Sequence, residues 1–357
     1  MMYDIIKIKN TAGTTVSLQN GNVNMCFDKD TQETDCARSR RKGRRMLHEV
    51  KFLSFNERDT VYGWIYVPAC KPVGIIQLIH GFGEHSRRYL HMITSFMEAG
   101  YIVAADDHVG HGKTAVENDT WGEWGGKGYT TMVEDEKKLH EIVVEKYPGL
   151  PYFMFGHSMG SVIARQYISR YGKDLKAVTL CGTMGEQANI DEGIAALQRL
   201  VDAGKGETFD PSVGLAKSGP MFSRIPEGVK LGNEWICDDP YVQIDHAEDP
   251  FDAFTKPTSV RSMLAFQQMM KDITGTEWAK KVPVELPIYN IAGDQDPVGG
   301  FGTGVYQCSN WLADTGHDVT TLLYTGYRHE IHNYAELKQT VEDGIIMFFD
   351  TFIDDEE

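Results

Sequence analysis

The sequence is short of positive charge: 35 Lys and Arg stand against 51 Asp and Glu, a formal net charge of −16 over 357 residues. Such a molecule is repelled as a whole by nucleic-acid phosphates and by anionic bilayers, so the expected partner is small or neutral. Cysteine is scarce and scattered. Cys26, Cys36, Cys70, Cys181, Cys237 and Cys308 form no C-x-x-C pair and no framework of short spacings. That excludes a zinc ribbon and a disulfide scaffold, and it suits reduced thiols in a cytoplasm. No run approaches the roughly 18 consecutive apolar residues of a spanning helix, and the first residues lack the charged-then-apolar order of a signal peptide. Internal repeats and low-complexity tracts are also missing. The expectation is a cytoplasmic protein without a transmembrane segment. Its length suits one α/β domain of about 200 to 250 residues plus an insertion.

What is present begins with an N-terminal extension, residues 1–45. Met2 to Ile8 and Thr14 to Phe27 partly alternate apolar and polar residues, and Asn20-Gly21 between them tolerates the positive φ of a tight turn. A β-hairpin is expected there. Residues 38–45 read RSRRKGRR, six positive charges in eight positions. An anionic lipid or RNA contact and a solvated linker both fit such a run, and the linker is the simpler reading.

From Met46 onward, strand and helix patterns alternate. Val61 to Val67 and the wholly apolar-looking Val73 to Ile79 predict strands, the second buried on both faces of a parallel sheet. Helical spacing from Arg88 stops before Gly100, a suitable residue just past a helix end. A strand at Tyr101 to Ala105, a helix at Thr131 to Tyr147, a strand at Pro151 to Phe155, a helix at Ser161 to Tyr171 and a strand at Leu175 to Leu180 follow. That order implies right-handed βαβ units. It breaks after Gly182 and resumes near Leu286, with a helix at Val305 to Asp314, a strand at Val319 to Tyr324 and a last helix at Tyr334 to Phe352. Residues 184–284 therefore read as an insertion into a core made of residues 46–183 and 285–357. Within it, Ile190, Ile194, Leu197, Leu200 and Val201 predict one helix, and Met263 to Ile273 another.

Gly156-His157-Ser158-Met159-Gly160 has the form G-x-S-x-G and sits between an apolar strand and a helical pattern, the context of a nucleophile elbow. A serine hydroxyl needs a base, and the base a third group to orient it. Asp294 and Asp296 follow the resumed strand, and His329 and His332 follow the next one, so all four fall at the carboxyl edge of the sheet. Residue chemistry alone leaves both pairs open. Acyl transfer also needs backbone N–H donors for a developing oxyanion. Met159, just after the serine, supplies one, and Phe82 in the His80-Gly81-Phe82-Gly83 turn supplies the other. His80 reads as a residue that holds this turn rather than as a base.

The segment His80 to Tyr89, HGFGEHSRRY, resembles the H-G-x-G-E-H-x-x-R-Y signature of monoacylglycerol lipases and related lysophospholipase-like hydrolases, a group that also carries the serine aminopeptidase name. Asp107 to Gly112, DHVGHG, is similar to their D-H-x-G-H-G loop, and GHSMGS to their elbow. The resemblance implies an α/β-hydrolase fold with a mainly helical cap after the sixth strand. It implies a triad of Ser158, Asp296 and His329, an oxyanion hole from Phe82 and Met159, and no cofactor or metal. Glu84, His85, Arg88, Asp107, His108 and His111 become scaffolding around the site. It has no counterpart for residues 1–45.

The resemblance points to monoacylglycerols, lysophospholipids or short acyl esters, with transient contact at a membrane surface. Met263, Phe266 and Met270 are flexible, apolar candidates for an acyl pocket, with core packing as the plainer role. The same triad can release an N-terminal amino acid from a peptide, and acidic residues in 234–239 and 245–252 would suit a free amine. A catalytically silent binding protein of the same fold is the third reading.

Overall fold

The computed structural model describes residues 7–9, 14–19, 22–27, 46–209, 220–252 and 256–353. The chain divides into two compact units, Met1–Arg45 and Met46–Glu357. In the first, β1 (Lys7–Lys9), β2 (Thr14–Gln19) and β3 (Asn22–Phe27) form an antiparallel sheet. β2 and β3 pair from Thr14↔Phe27 to Gln19↔Asn22. The Asn20-Gly21 turn and the basic run at 38–45 lie outside the described residues.

The second unit is built on an eight-stranded sheet: β4 (Leu47–Leu53), β5 (Thr60–Tyr66), β6 (Gly74–Ile79), β7 (Tyr101–Asp107), β8 (Tyr152–His157), β9 (Ala177–Cys181), β10 (Ile288–Gly293) and β11 (Val319–Tyr324). Their spatial order is β11-β10-β9-β8-β6-β7-β5-β4. β6 to β11 are mutually parallel, while β5 runs antiparallel to both β4 and β7. Every residue of β6, β7, β8, β9 and β10 is buried. That is why their sequences read as continuous apolar runs instead of alternating.

Helices cover both faces. α1 (Leu90–Glu98) and α10 (Lys338–Asp350) bury Met92, Phe96, Val341 and Phe349 against Ile76, Leu78 and Phe153 on one side. α3 (Thr131–Lys146), α4 (Met159–Tyr171) and α9 (Thr303–Ala313) pack on Ile75, Ile79 and Met154 on the other. The sequence reading found neither β4, which pairs along its whole length with β5, nor α2 (Gly112–Asn118). β4 is an edge strand with only Phe52 buried, so it lacks the apolar run that marks its neighbours.

Between the sixth and seventh strands of this sheet the chain forms α5 (Ile190–Leu200), α6 (Pro240–Glu248), α7 (Val260–Asp272) and the single turn α8 (Thr276–Ala279). Ser259 starts α7 by accepting the Ser262 N–H through its side chain. Arg165 of α4 reaches towards both ends of this segment. Its guanidinium donates to the carbonyls of Met184 and Ile273 at 2.7 and 2.5 Å and lies 4.6 Å from the Trp278 ring.

The order of strands fixes where a ligand can sit. β6 lies between β7 and β8, so the chain leaves it to one side and later returns on the other. The crevice at the carboxyl ends of β6 and β8 is the topological switch point. His80, Ser158, Gly182, Asp296 and His329 all follow the carboxyl ends of strands of this sheet.

Candidate active site

Ser158 stands between β8 and α4 with φ 56° and ψ −119°, a conformation that L-residues avoid. The flanking glycines permit it. A Cβ on Gly156 would strike the Gly160 carbonyl, and one on Gly160 would strike the carbonyls of Ile79 and His80. The G-x-S-x-G spacing thus records direct packing of the elbow on β6. The Ser158 N–H donates to the Cys181 carbonyl at 2.9 Å, and the Ser161 hydroxyl donates to the Ser158 carbonyl at 2.6 Å. Met159 is the first residue of α4, so its N–H has no acceptor inside the helix.

Of the two acid–histidine ambiguities, the geometry distinguishes both. His329 Nδ1 lies 2.9 Å from Asp296 Oδ2. Asp296 Oδ1 accepts the Val298 N–H at 2.8 Å, and the carboxyl is fully buried. Asp294 instead accepts the Gly326 N–H. His332 is stacked on Tyr89 with 4.9 Å between ring centres, and burial drives it well below the usual histidine range. His329 Nε2 is buried without a hydrogen-bond partner, the condition of a nitrogen ready to take a proton. Burial opposes charge on this ring, but the Asp296 carboxylate and its hydrogen bond outweigh it and lift His329 above the ordinary histidine value.

Ser158 and Phe82 line a single cavity of 190 Å³ together with Met184, Gln187, Met221, Trp235, Phe266, Met270, Pro297 and Val298. The His329 ring lies 5.2 Å from Trp235. Among the described residues no charged side chain borders this space. Of the three pocket residues expected from sequence, Phe266 and Met270 line it, whereas Met263 does not: it is 4% exposed and packs in the core beneath α7. Helical spacing puts all three on one side of α7, and depth along the helix separates them. Met184, Gln187, Met221, Trp235, Pro297 and Val298 went unnoticed, and only Pro297-Val298, next to Asp296, carried a signal. A wider surface groove of 620 Å³, lined by Lys137, Glu141, Asp174 and Lys176 among others, is bordered by none of the residues just described.

The loop carrying Phe82 is held by buried polar contacts. Glu84 accepts the Gly81 N–H and the Tyr89 hydroxyl, each at 2.6 Å. Arg88 then spans from Glu84 Oε2 at 2.9 Å to Glu330 at 2.7 and 3.1 Å. One guanidinium, 4% exposed, therefore ties the Phe82 loop to the residue after His329. Burial works against charge on Glu330, but Arg88 overrides it and holds the carboxyl well below the usual range. His80 donates or accepts at both ring nitrogens, to the Gly81 carbonyl at 2.8 Å and from the His108 N–H at 3.1 Å. Asp107 accepts from Ser86, Arg87 and the Lys113 N–H. His85 meets Asp249 of the inserted segment at 3.0 Å.

Comparison with known proteins agrees with this geometry. The model of the family described as serine aminopeptidase, S33, matches residues 70–336. A monoacylglycerol lipase of Mycolicibacterium smegmatis is 28% identical over 294 residues, covering 78% of this chain and 89% of that protein. The crystal structure of a highly thermostable carboxyl esterase from Bacillus coagulans, in complex with glycerol, is 54% identical and superimposes with a TM-score of 0.83. It is matched over 87% of this chain and all of that one. A lipase in an open form is 35% identical over the same share, with a TM-score of 0.80. The chain belongs to the serine aminopeptidase, S33, family, as an α/β-hydrolase of the lipase and esterase type whose chemistry is the hydrolysis of carboxylic esters.

Proposed function

We propose that the protein hydrolyses short- and medium-chain carboxylic esters, monoacylglycerols among them, through Ser158, His329 and Asp296 and a covalent acyl-enzyme. The observation that carries this reading is the buried 2.9 Å His329–Asp296 pair, set at the sheet edge with a strained Ser158 that opens into an apolar cavity. His329, oriented by Asp296, takes the Ser158 proton as Oγ attacks the ester carbonyl. The N–H groups of Phe82 and Met159 hold the oxyanion. The alcohol leaves with the proton from His329, and water repeats the sequence on the acyl group.

The cavity supports the choice of substrate. At 190 Å³ it is smaller than the roughly 300–1,000 Å³ that drug-sized ligands occupy. Its walls are methionine, phenylalanine and tryptophan, with one amide at Gln187. The glycerol bound by the Bacillus coagulans esterase adds weight to a glyceride. Residues 184–284 act as the cap that closes over the acyl chain. Unpaired Cys70, Cys181, Cys237 and Cys308 support a cytoplasmic setting.

The aminopeptidase reading loses ground on a specific point. A free amine needs a carboxylate in the cavity, and among the described residues none lines it. Two of the acidic residues of 234–252 are engaged elsewhere: Glu234 accepts the N–H groups of Lys230, Leu231 and Gly232, and Asp249 pairs with His85. The test is a rate panel of p-nitrophenyl esters from acetyl to palmitoyl, 1-monoacylglycerols, lysophosphatidylcholine and alanine or proline p-nitroanilide. Ester turnover with an optimum at or below about ten carbons, lost in Ser158→Ala, is expected. Turnover of anilides alone would make it a peptidase. Silence on every substrate, with no fluorophosphonate labelling at Ser158, would make it a binding protein.

A further inference from the structure

Behind the His80 turn lies a second polar cluster that the ester mechanism does not use. Asp106 near the end of β7, His108 just past it and Glu136 on α3 are all buried, with exposures of 0, 2 and 0%. His108 Nδ1 lies 3.3 Å from Asp106 Oδ1 and 3.4 Å from Glu136 Oε1. Yet among the described residues no donor reaches Asp106 Oδ1, Asp106 Oδ2 or Glu136 Oε1 within hydrogen-bond geometry while both carboxyl groups are ionised; only a proton shared between Glu136 and Asp106 would pair them. Leaving buried carboxylate oxygens without a donor or a cation is expensive.

The surroundings orient these atoms towards one another. His108 Nε2 lies 3.3 Å from the His80 carbonyl, which can only accept the ring N–H there; in the neutral ring that leaves the Nδ1 lone pair facing the two carboxyl groups. Gln77 Nε2 donates to the other oxygen of Glu136, so that Oε1 is the one turned inward. A histidine donating its far N–H to a backbone carbonyl, beside a carboxylate steadied through its second oxygen, is the outer shell that metal ligands carry.

We propose that Asp106, His108 and Glu136 bind one divalent transition-metal ion of the zinc type, as a structural ion. The spacings fit: tetrahedral bonds of about 2.0–2.1 Å from zinc to nitrogen and oxygen put neighbouring ligand atoms roughly 3.3–3.4 Å apart. Asp106 Oδ2 is bonded to the same carbon as Oδ1 and lies too close to it to fill a second tetrahedral corner, so each of the three side chains would give one ligand atom and water would complete the shell. An imidazole nitrogen selects zinc-like ions over calcium or magnesium, which take oxygen ligands. Charge fits as well, because two carboxylates and a neutral imidazole carry the two negative charges that a divalent ion cancels. The alternative way to cancel them is protons. Burial, together with the Asp106 charge, does push Glu136 well above the usual carboxyl range, so metal and protons compete for the same place.

The ion would act on the ester site only through structure. The His108 ring stacks on His80 at 3.8 Å, and His80 in turn holds the turn that carries Phe82. The ligands lie 30 positions apart at the extremes, with no short metal-binding spacing, so no sequence motif marks them.

The test uses the full chain without an affinity tag, purified without chelator. Elemental analysis is expected to find about one zinc per chain, falling below about 0.1 in Asp106→Asn/Glu136→Gln. Because that variant can fail to fold, the wild-type protein is also stripped in denaturant with chelator, refolded and titrated. Cobalt(II) is expected to give the visible bands of a four-coordinate nitrogen–oxygen site. Zinc in hundredfold excess over its dissociation constant is expected to raise Tm by about 5 °C. Wild-type protein with less than about 0.1 metal per chain, no cobalt bands and no Tm shift would overturn the proposal in favour of shared protons. Metal retained in the double variant would overturn it as well, by putting the ion elsewhere.

Discussion

Replacing Arg88 with methionine isolates the contact that joins the Phe82 loop to the residue after His329, the proposed base. Methionine keeps much of the side-chain bulk and removes the charge. Glu84 and Glu330, 3 and 2% exposed, then lose a guanidinium that reaches them at 2.9 and 2.7 Å. Breaking a buried pair by removing one partner costs about 3–5 kcal/mol. For a domain of this size that is a fall in Tm of roughly 6–12 °C. The sign with pH follows from the direction of the shifts. Both carboxyl groups are held below the usual range in the folded protein, so their contribution is full above the unfolded value of about 4.3 and is lost as pH falls through the folded values. In the variant both carboxyl groups lose their cation, although Glu84 keeps its contacts to Gly81, Tyr89 and His157 and Glu330 its bond from Asn333, so they titrate higher and are relieved by protonation. The Tm gap should therefore be widest above about pH 6 and narrow below about pH 5. Asp252, 3.8 Å from Arg88 Nε, adds little to the gap at neutral pH, because burial pushes it to about 9 and keeps it uncharged. Activity should fall too. Glu84 fixes the Gly81 N–H next to Phe82, and a loop shift of an ångström there costs up to about 100-fold in kcat. Thermal scans from pH 4 to 8 and ester kinetics on the folded variant check both effects, with Arg88→Lys expected to fall between, since one ammonium cannot span both carboxylates. A Tm within 2 °C of wild type together with unchanged kcat would refute the reasoning, by showing that the clamp neither stabilises nor positions anything.

Three further outcomes follow from the same geometry. In wild type, log kcat/KM should climb with pH through a value above the ordinary 6.5 of histidine, because His329 must be neutral to accept the Ser158 proton and its pKa is raised. Asp296→Asn should cut kcat about 10³- to 10⁴-fold and move that limb to lower pH, since the charge that does most to offset burial of His329 is then gone and only the weaker pull of Glu330 and Glu84 remains; a limb that stays in place would assign the ionisation to another group. Phe266→Ala should open the 190 Å³ cavity and raise the rate on long-chain esters relative to butyrate by about tenfold or more, and an unchanged chain-length profile would mean that this wall does not face the acyl group.

The strands buried on both faces were legible because burial leaves the same mark in composition as in space. VGIIQLI and LPIYNIAG are apolar along their length, and β6 and β10 lie within those segments. β11 has only intermediate and exposed residues, yet its β-branched run at Val319 to Thr321 still marked it. β4 was not legible. An edge strand with Phe52 alone buried is specified by its pairing to β5, and pairing partners are invisible along a single chain. Of the helices of residues 184–284, α5 and α7 could be read while α6 and α8 could not, and neither could the cavity they help to line. Met263 and Phe266 are one helical turn apart with the same 4% exposure. Only the position of α4 and of the Phe82 ring, 5.6 Å from Phe266, against α7 decides that one faces a void and the other the core.

The residues of the proposed triad stand out in the sequence for a different reason, and the groups packed around them do not. Ser158 announces itself because a sharp strand-to-helix turn tolerates so few neighbours that Gly156 and Gly160 become necessary, a constraint local enough to leave a five-residue pattern. The general base and its acid have no such local constraint. Asp294 and Asp296 both follow β10, and only the fold brings Oδ2 of Asp296 to His329 across 33 residues. The Arg88–Glu330 contact spans 242 residues, and Asp106, His108 and Glu136 meet through two elements that are unremarkable when read singly. A buried charge is stable only where its counter-charge is supplied by another part of the chain. The residues that position this site are therefore the ones whose purpose a linear reading conceals, and those are where mutation should separate stability from chemistry.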